Sequence, residues 1–166
     1  MMTPAEMVAL LEEKYHEEYA AYQELLLLAG RVRQKLTEGA DGEIEPLLAE
    51  QARLCGLVDR CEETVRVLRR EAAPAFGCPE LTLATVAQKV QEGHATLHSL
   101  GRTMAEVARV LQELAAVHAD NQGMLEARLS SVRAERLGLE RAKAAIHAYQ
   151  PPTGEAPAPR FLDKRS

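Results

Sequence analysis

The chain has no tryptophan, only two phenylalanines and four tyrosines in 166 residues. A thick globular core built on aromatic anchors is therefore not available to it. Narrow helix–helix seams filled by small aliphatic side chains are the natural alternative. Cysteine is equally sparse: Cys55, Cys61 and Cys78 are odd in number and lack a close pairing pattern, which excludes a disulfide framework and points to a reduced, cytoplasmic setting. The longest aliphatic run, Leu25 to Ala29, is far too short to span a bilayer. The opening Met1-Met2-Thr3-Pro4 has no basic segment leading into an apolar run, as a secretory signal would. Positive charge is also in deficit, at 20 Lys and Arg against 25 Asp and Glu. A net charge of −5 argues against a nucleic-acid binder, which carries a basic stripe.

What the chain does have is 46% apolar residues, nearly all Leu, Ala and Val, in helical periodicity. Thr3-Pro4-Ala5-Glu6 has the form of a capping box with proline at the first helical position. Val8, Leu11, Tyr15, Glu18, Tyr22, Leu25, Ala29, Val32 and Leu36 then recur in alternating steps of three and four, a heptad seam with one polar interruption at Glu18. Gly39-Ala40-Asp41-Gly42 reads as a tight turn. A second seam follows through Ile44, Leu47, Gln51, Leu54, Val58, Cys61, Val65 and Leu68, with Pro46 tolerated in its first turn. The two helices are expected to pair as an antiparallel hairpin.

Pro74 to Pro79 reads as a loop, Thr82 caps a short helix, and Gly93 breaks it. A third seam runs through Leu97, Leu100, Met104, Val107, Leu111, Leu114, His118, Asn121 and Leu125, then slips to Leu129, Val132, Leu139 and Ile146. Steps of four on either side of Leu125 are a stutter. A continuous helix here is on the order of 75 Å long, and it would outreach the hairpin and leave apolar surface uncovered. The expected fold is all-α: an elongated antiparallel long-helix bundle over residues 1–149, with helices near 4–37, 43–72, 81–91 and 95–148. Pro151, Pro152, Gly154, Pro157 and Pro159 forbid a helix from residue 150 to 166 and predict a flexible tail.

Chemistry-bearing patterns are few. His94 and His98 stand four apart with Cys78 near in sequence, but no second Cys pair and no intervening acidic residue completes a metal motif. Surface histidines are the simpler reading, and no metal or other cofactor is expected. Cys55 and Cys61 face the hairpin seam or its edge without a base partner. Paired glutamates such as Glu12-Glu13, Glu17-Glu18 and Glu62-Glu63 read as solvated helix faces, and no phosphate loop occurs. The chain reads as a non-enzymatic binding protein. Tyr15, Tyr19 and Tyr22 form one stripe, either seam packing or a partner-facing patch. His118 and Asn121 place two polar groups at successive seam positions, a register device or a contact surface.

The run from Leu114 to Glu126, with Asn121 three residues after His118, resembles the signature of FlgN-type flagellar export chaperones, where a pair of Asn residues three apart precedes an apolar segment. His118 stands where the family has the first Asn. The ending Arg160-Phe161-Leu162-Asp163-Lys164 is similar to one frequent in that family. The resemblance implies a cytosolic chaperone for the hook–filament junction proteins FlgK and FlgL. Client contacts would fall on His118, Asn121, Met124, Leu125, Leu129, Val132, Leu139, Ile146, Phe161 and Leu162. Tyr149 would dock the chaperone transiently on the membrane export gate. The alternative is a structural coiled coil or assembly adaptor that pairs with itself.

Overall fold

The structure, a computed structural model, describes residues 2–149. The expected proline-rich tail at 150–166 lies outside the described residues. Four long or capped α-helices follow one another: α1 (Pro4–Glu38), α2 (Ile44–Ala72), α3 (Leu83–Gln91) and α4 (His98–Tyr149). No strand occurs among the described residues. The chain divides after Leu125 into two compact units, so α4 contributes to both.

Local chemistry sets the helix ends. Thr3 and Glu6 form the reciprocal capping box, with Pro4 in the first turn. Gly39 ends α1 in the left-handed conformation at φ 77°, which a residue bearing a Cβ adopts at a steric cost. Lys35 then ties the corner together, pairing with Glu43 at 2.6 Å and Glu38 at 3.3 Å. Short 3-10 turns over Asp41–Glu43 and Ala95–Leu97 precede α2 and α4, so both helices start slightly later than periodicity implies. α3 opens on a threonine version of the capping box, in which Thr82 and Thr85 exchange backbone-to-hydroxyl bonds of 2.7 and 3.2 Å. Residues 98–149 form a single helix across the slip in periodicity.

In the first unit, contacts define an up-down-up arrangement. Ile44 at the start of α2 packs on Val32 and Leu36 near the end of α1, while Cys61 farther along reaches back to the Lys14 carbonyl, so α2 runs antiparallel to α1. Ser99 meets Glu12 and Asn121 meets Ala29, so α4 runs parallel to α1. All nine predicted α1 seam residues are buried. In α2, Ile44, Gln51, Leu54, Val58 and Val65 are buried, while Leu47, Cys61 and Leu68 are half-buried. The α3 segment closes the end where α1 and α4 begin, through Leu81, Val86, Leu97 and Leu100.

One seam position differs. Leu111 is 38% exposed, and Val110 takes the buried place at 3%. A helix packed against two neighbours needs an apolar arc wider than a heptad line, and the neighbours decide which flank is covered. Thr103, Val110 and Val117 widen the α4 arc on that flank. Cys55, expected at the seam or its edge, is exposed.

Truncation separates the two flanks. Val110→Ala is expected to cost about 2 kcal/mol and Leu111→Ala less than about 1 kcal/mol, read from urea unfolding midpoints at constant m-value. Equal losses would restore Leu111 to the core.

Candidate binding surface and buried polar layers

Sequence places His118, Asn121, Met124 and Leu125 on a client-binding surface; in the structure Asn121 is buried and the other three are half-buried. Asn121 is buried, and its side-chain amide donates to the Ala29 carbonyl at 2.8 Å. His118 is half-buried and lies 2.8 Å from the Gln51 amide nitrogen through Nε2. Met124 and Leu125 pack, partly buried, on a small apolar cluster of Val32, Leu36 and Ile44. These four residues hold α4 in register with the hairpin. Polar groups in an otherwise aliphatic seam do so because any slip strands them without partners. The exposed ion pair of Arg33 with Asp120, 3.4 Å apart, falls in the same register.

A second polar layer lies nearer the other end of the hairpin. Glu18 is 4% exposed and Tyr22 is 3% exposed. The Tyr22 hydroxyl sits 3.1 Å from Glu18 Oε1 and makes a shorter hydrogen bond with Glu62 on α2. One phenolic proton cannot serve both carboxylates at once. Glu18 Oε2 has no hydrogen-bond partner at all. Burial pushes the Glu18 carboxyl above the ordinary 4.5, with the neighbouring Glu62 charge adding to the effect. Burial likewise pushes Tyr15 up to about 12 and Tyr22 higher still. Tyr15 and Tyr22 are core side chains and Tyr19 is half-buried. Tyr15 and Tyr22 thus pack in the seam, with Tyr19 at its edge.

The other chemistry-bearing residues are dispersed. His94 meets the Phe76 ring edge-on at 5.5 Å, and both His94 and His98 are exposed. The Cys78 thiol donates to the Ala73 carbonyl and the Cys61 thiol to the Lys14 carbonyl. Burial pushes the Cys61 thiol up, away from the thiolate a nucleophile requires. Among the described residues no group of three His, Cys, Asp or Glu side chains is placed to hold a metal ion.

In the second unit the helix from Glu126 to Tyr149 carries a different kind of surface. Leu129, Val132, Leu139 and Ile146 are 55, 54, 64 and 61% exposed. Leu137, which the heptad reading passes over, is 55% exposed as well. Continuing the steps of three and four from Val132 gives Arg136, Leu139, Lys143 and Ile146, so two cations alternate with the apolar side chains. Arg136 is itself paired with Glu140 at 3.1 Å. Between residues 126 and 149 there are five Lys and Arg against three Glu, opposite in balance to the whole chain. The Tyr149 side chain, Phe161 and Leu162 lie outside the described residues.

The buried Glu18 carboxyl gives a pH signature. Folding tightens the proton on Glu18, so its contribution favours the folded state below pH 4.5 and is lost as pH rises through the raised folded value. Glu18→Gln removes that loss. The variant is expected to gain stability relative to the parent between pH 4 and pH 7.5, measured as the difference in unfolding free energy. A difference independent of pH would mean Glu18 titrates as an ordinary surface carboxylate.

No protein-family model, curated protein or solved structure matches this chain.

Proposed function

We propose that the chain is a non-enzymatic, cytosolic binding protein that captures an amphipathic helix on the apolar stripe of residues 129–146. The observation that carries this reading is the exposure of Leu129, Val132, Leu139 and Ile146 along one helical face, with Arg136 and Lys143 on the turns between. Scattered surface leucines are ordinary, but a stripe at heptad spacing is the arrangement that a second helix covers. Arg136 and Lys143 within it favour a partner whose own apolar face is interrupted by acidic residues.

The resemblance to FlgN-type proteins supplies the more specific form of the proposal: an export chaperone for the terminal helices of FlgK and FlgL. Such helices cannot bury their apolar faces before assembly. A stripe that covers them reversibly prevents aggregation and still permits release, because ordering costs hold the affinity down. In this reading Phe161 and Leu162 extend the client contact and Tyr149 serves the export gate. The second reading is self-pairing. The heptad spacing of Val132, Leu139 and Ile146 supports it, while Arg136 and Lys143 at intervening positions oppose a parallel in-register pair.

Leu139→Asp with Ile146→Asp is the direct test. Each apolar side chain is worth roughly 1.5–3 kcal/mol when fully buried, so the double variant is expected to weaken capture of the FlgK or FlgL terminal helices by about a hundredfold or more. Its thermal midpoint is expected to stay within about 2 °C of the parent, because neither side chain is in the core. Absence of binding by the parent chain overturns the chaperone reading. A dimer that survives dilution and is dispersed by the same substitutions establishes self-pairing instead.

A further inference from the structure

In the second unit every residue from 129 to 148 is exposed. Leu129, Val132, Arg136, Leu139, Lys143 and Ile146 follow one another there in steps of three and four, as the first and fourth positions of a heptad do. The charges flanking that stripe restrict what can lie along it. On one flank Glu126, Arg133, Glu140 and His147 recur every seven residues, so acid alternates with base. On the other flank Arg128 and Glu135 stand seven apart.

A second copy of this helix can be laid on the stripe in few ways. In a parallel pair Arg136 stacks on Arg136 and Lys143 on Lys143, while the flanks set Arg128 against Arg133 and Glu135 against Glu140. Each of those contacts joins like charges. In an antiparallel pair with Leu129 opposite Ile146, Val132 falls opposite Lys143 and Arg136 opposite Leu139. Each cation then meets an aliphatic side chain, along which its stem lies while the charged head reaches water. The same register brings Arg133 to Glu140 and Glu126 to His147, each contact occurring twice by symmetry. Glu140 already accepts from Arg136 of its own helix through Oε1, so Arg133 of the second copy meets Oε2. Sliding the antiparallel pair by one heptad sets Glu140 on Glu140 in one direction and Arg133 on Arg133 in the other. Of these four arrangements, one avoids like-charge contact.

We propose that the stripe pairs reversibly with the same stripe of a second copy, antiparallel and in the register that sets Leu129 against Ile146. Such pairing presupposes that residues 129–146 are an adhesive face, as the proposed helix capture does, and it names what occupies that face when no client is present. The contact is short, about 26 Å of helix with cations at two of its six stripe positions. Against the cost of lost translational freedom, that yields a dissociation constant on the order of 100 µM. A pair this weak forms where the protein is concentrated and gives way to a tighter helix.

Sedimentation equilibrium of the full chain from about 10 to about 500 µM provides the test, with a monomer–dimer equilibrium expected for the parent. Arg133→Glu makes both Arg133–Glu140 contacts repulsive and is expected to weaken association about tenfold. Adding Glu140→Lys restores opposite charges and is expected to return the affinity to within about twofold of the parent. Both positions are exposed, so thermal midpoints are expected to stay within about 2 °C of the parent. Tighter association on Arg133→Glu would reveal a parallel pair, in which Arg133 faces Arg128, and would overturn the antiparallel register. A double variant no tighter than the single would overturn it as well. Capture of a FlgK or FlgL helix by a parent chain that stays monomeric at about 500 µM refutes the pairing and leaves capture standing. A dimer with these charge responses that captures neither helix supports the pairing and refutes capture alone.

Discussion

The burial of a narrow aliphatic stripe on each of α1, α2 and α4 governs the first unit. Three aromatic side chains, Tyr15, Tyr22 and Phe76, enter the core, and the rest of its stability comes from many leucine, valine and alanine contacts at helix spacing. Such seams tolerate little error in register, because a shift by one residue rotates a whole stripe away from its partners. The polar interruptions hold that register. Asn121 on the Ala29 carbonyl and Gln51 beside His118 lock one end, and the Glu18–Tyr22–Glu62 layer locks the other. Their hydrogen bonds contribute little net energy, but a slip would take the Asn121 amide and the Tyr22 hydroxyl from the acceptors they have in this register.

The same constraint separates the two roles of α4. As far as Leu125 most of its large apolar side chains, Leu111 apart, are buried or half-buried in the first unit, so a partner could reach them only by opening the bundle. From Leu129 onward comparable side chains are exposed, on a stretch whose charge balance is basic where the chain as a whole is acidic. A helix can thus be structural along one part and adhesive along another with no change of local conformation. Only what covers it differs.

Much of this was legible from the residues. The Thr3 capping box, the Gly39 turn and the heptad of α1 predict that helix almost to the residue, because caps and periodicity are local physics. The α4 flank was not legible, since whether Val110 or Leu111 is covered depends on how two other helices sit against it. Periodicity located His118 and Asn121 as unusual but could not say whether they met solvent, client or core. Glu18 announced itself as a polar residue in an apolar seam. Its competition with Glu62 for the Tyr22 proton could not be foreseen, because Glu62 lies one residue off the α2 seam and reads as half of a solvated pair. Of the residues assigned to client binding, Leu129, Val132, Leu139 and Ile146 are accessible, while His118, Asn121, Met124 and Leu125 belong to the bundle.

The division of α4 into a covered and an uncovered stretch is tested most directly by amide hydrogen exchange on the full chain at two concentrations a hundredfold apart. Amides between Leu100 and Asn121 are expected to exchange at rates set by global opening, and those between Leu129 and Ile146 at least about a hundredfold faster at both concentrations. Equal protection along the whole helix at the lower concentration would contradict it, by showing that the apolar stripe is already covered in the isolated chain.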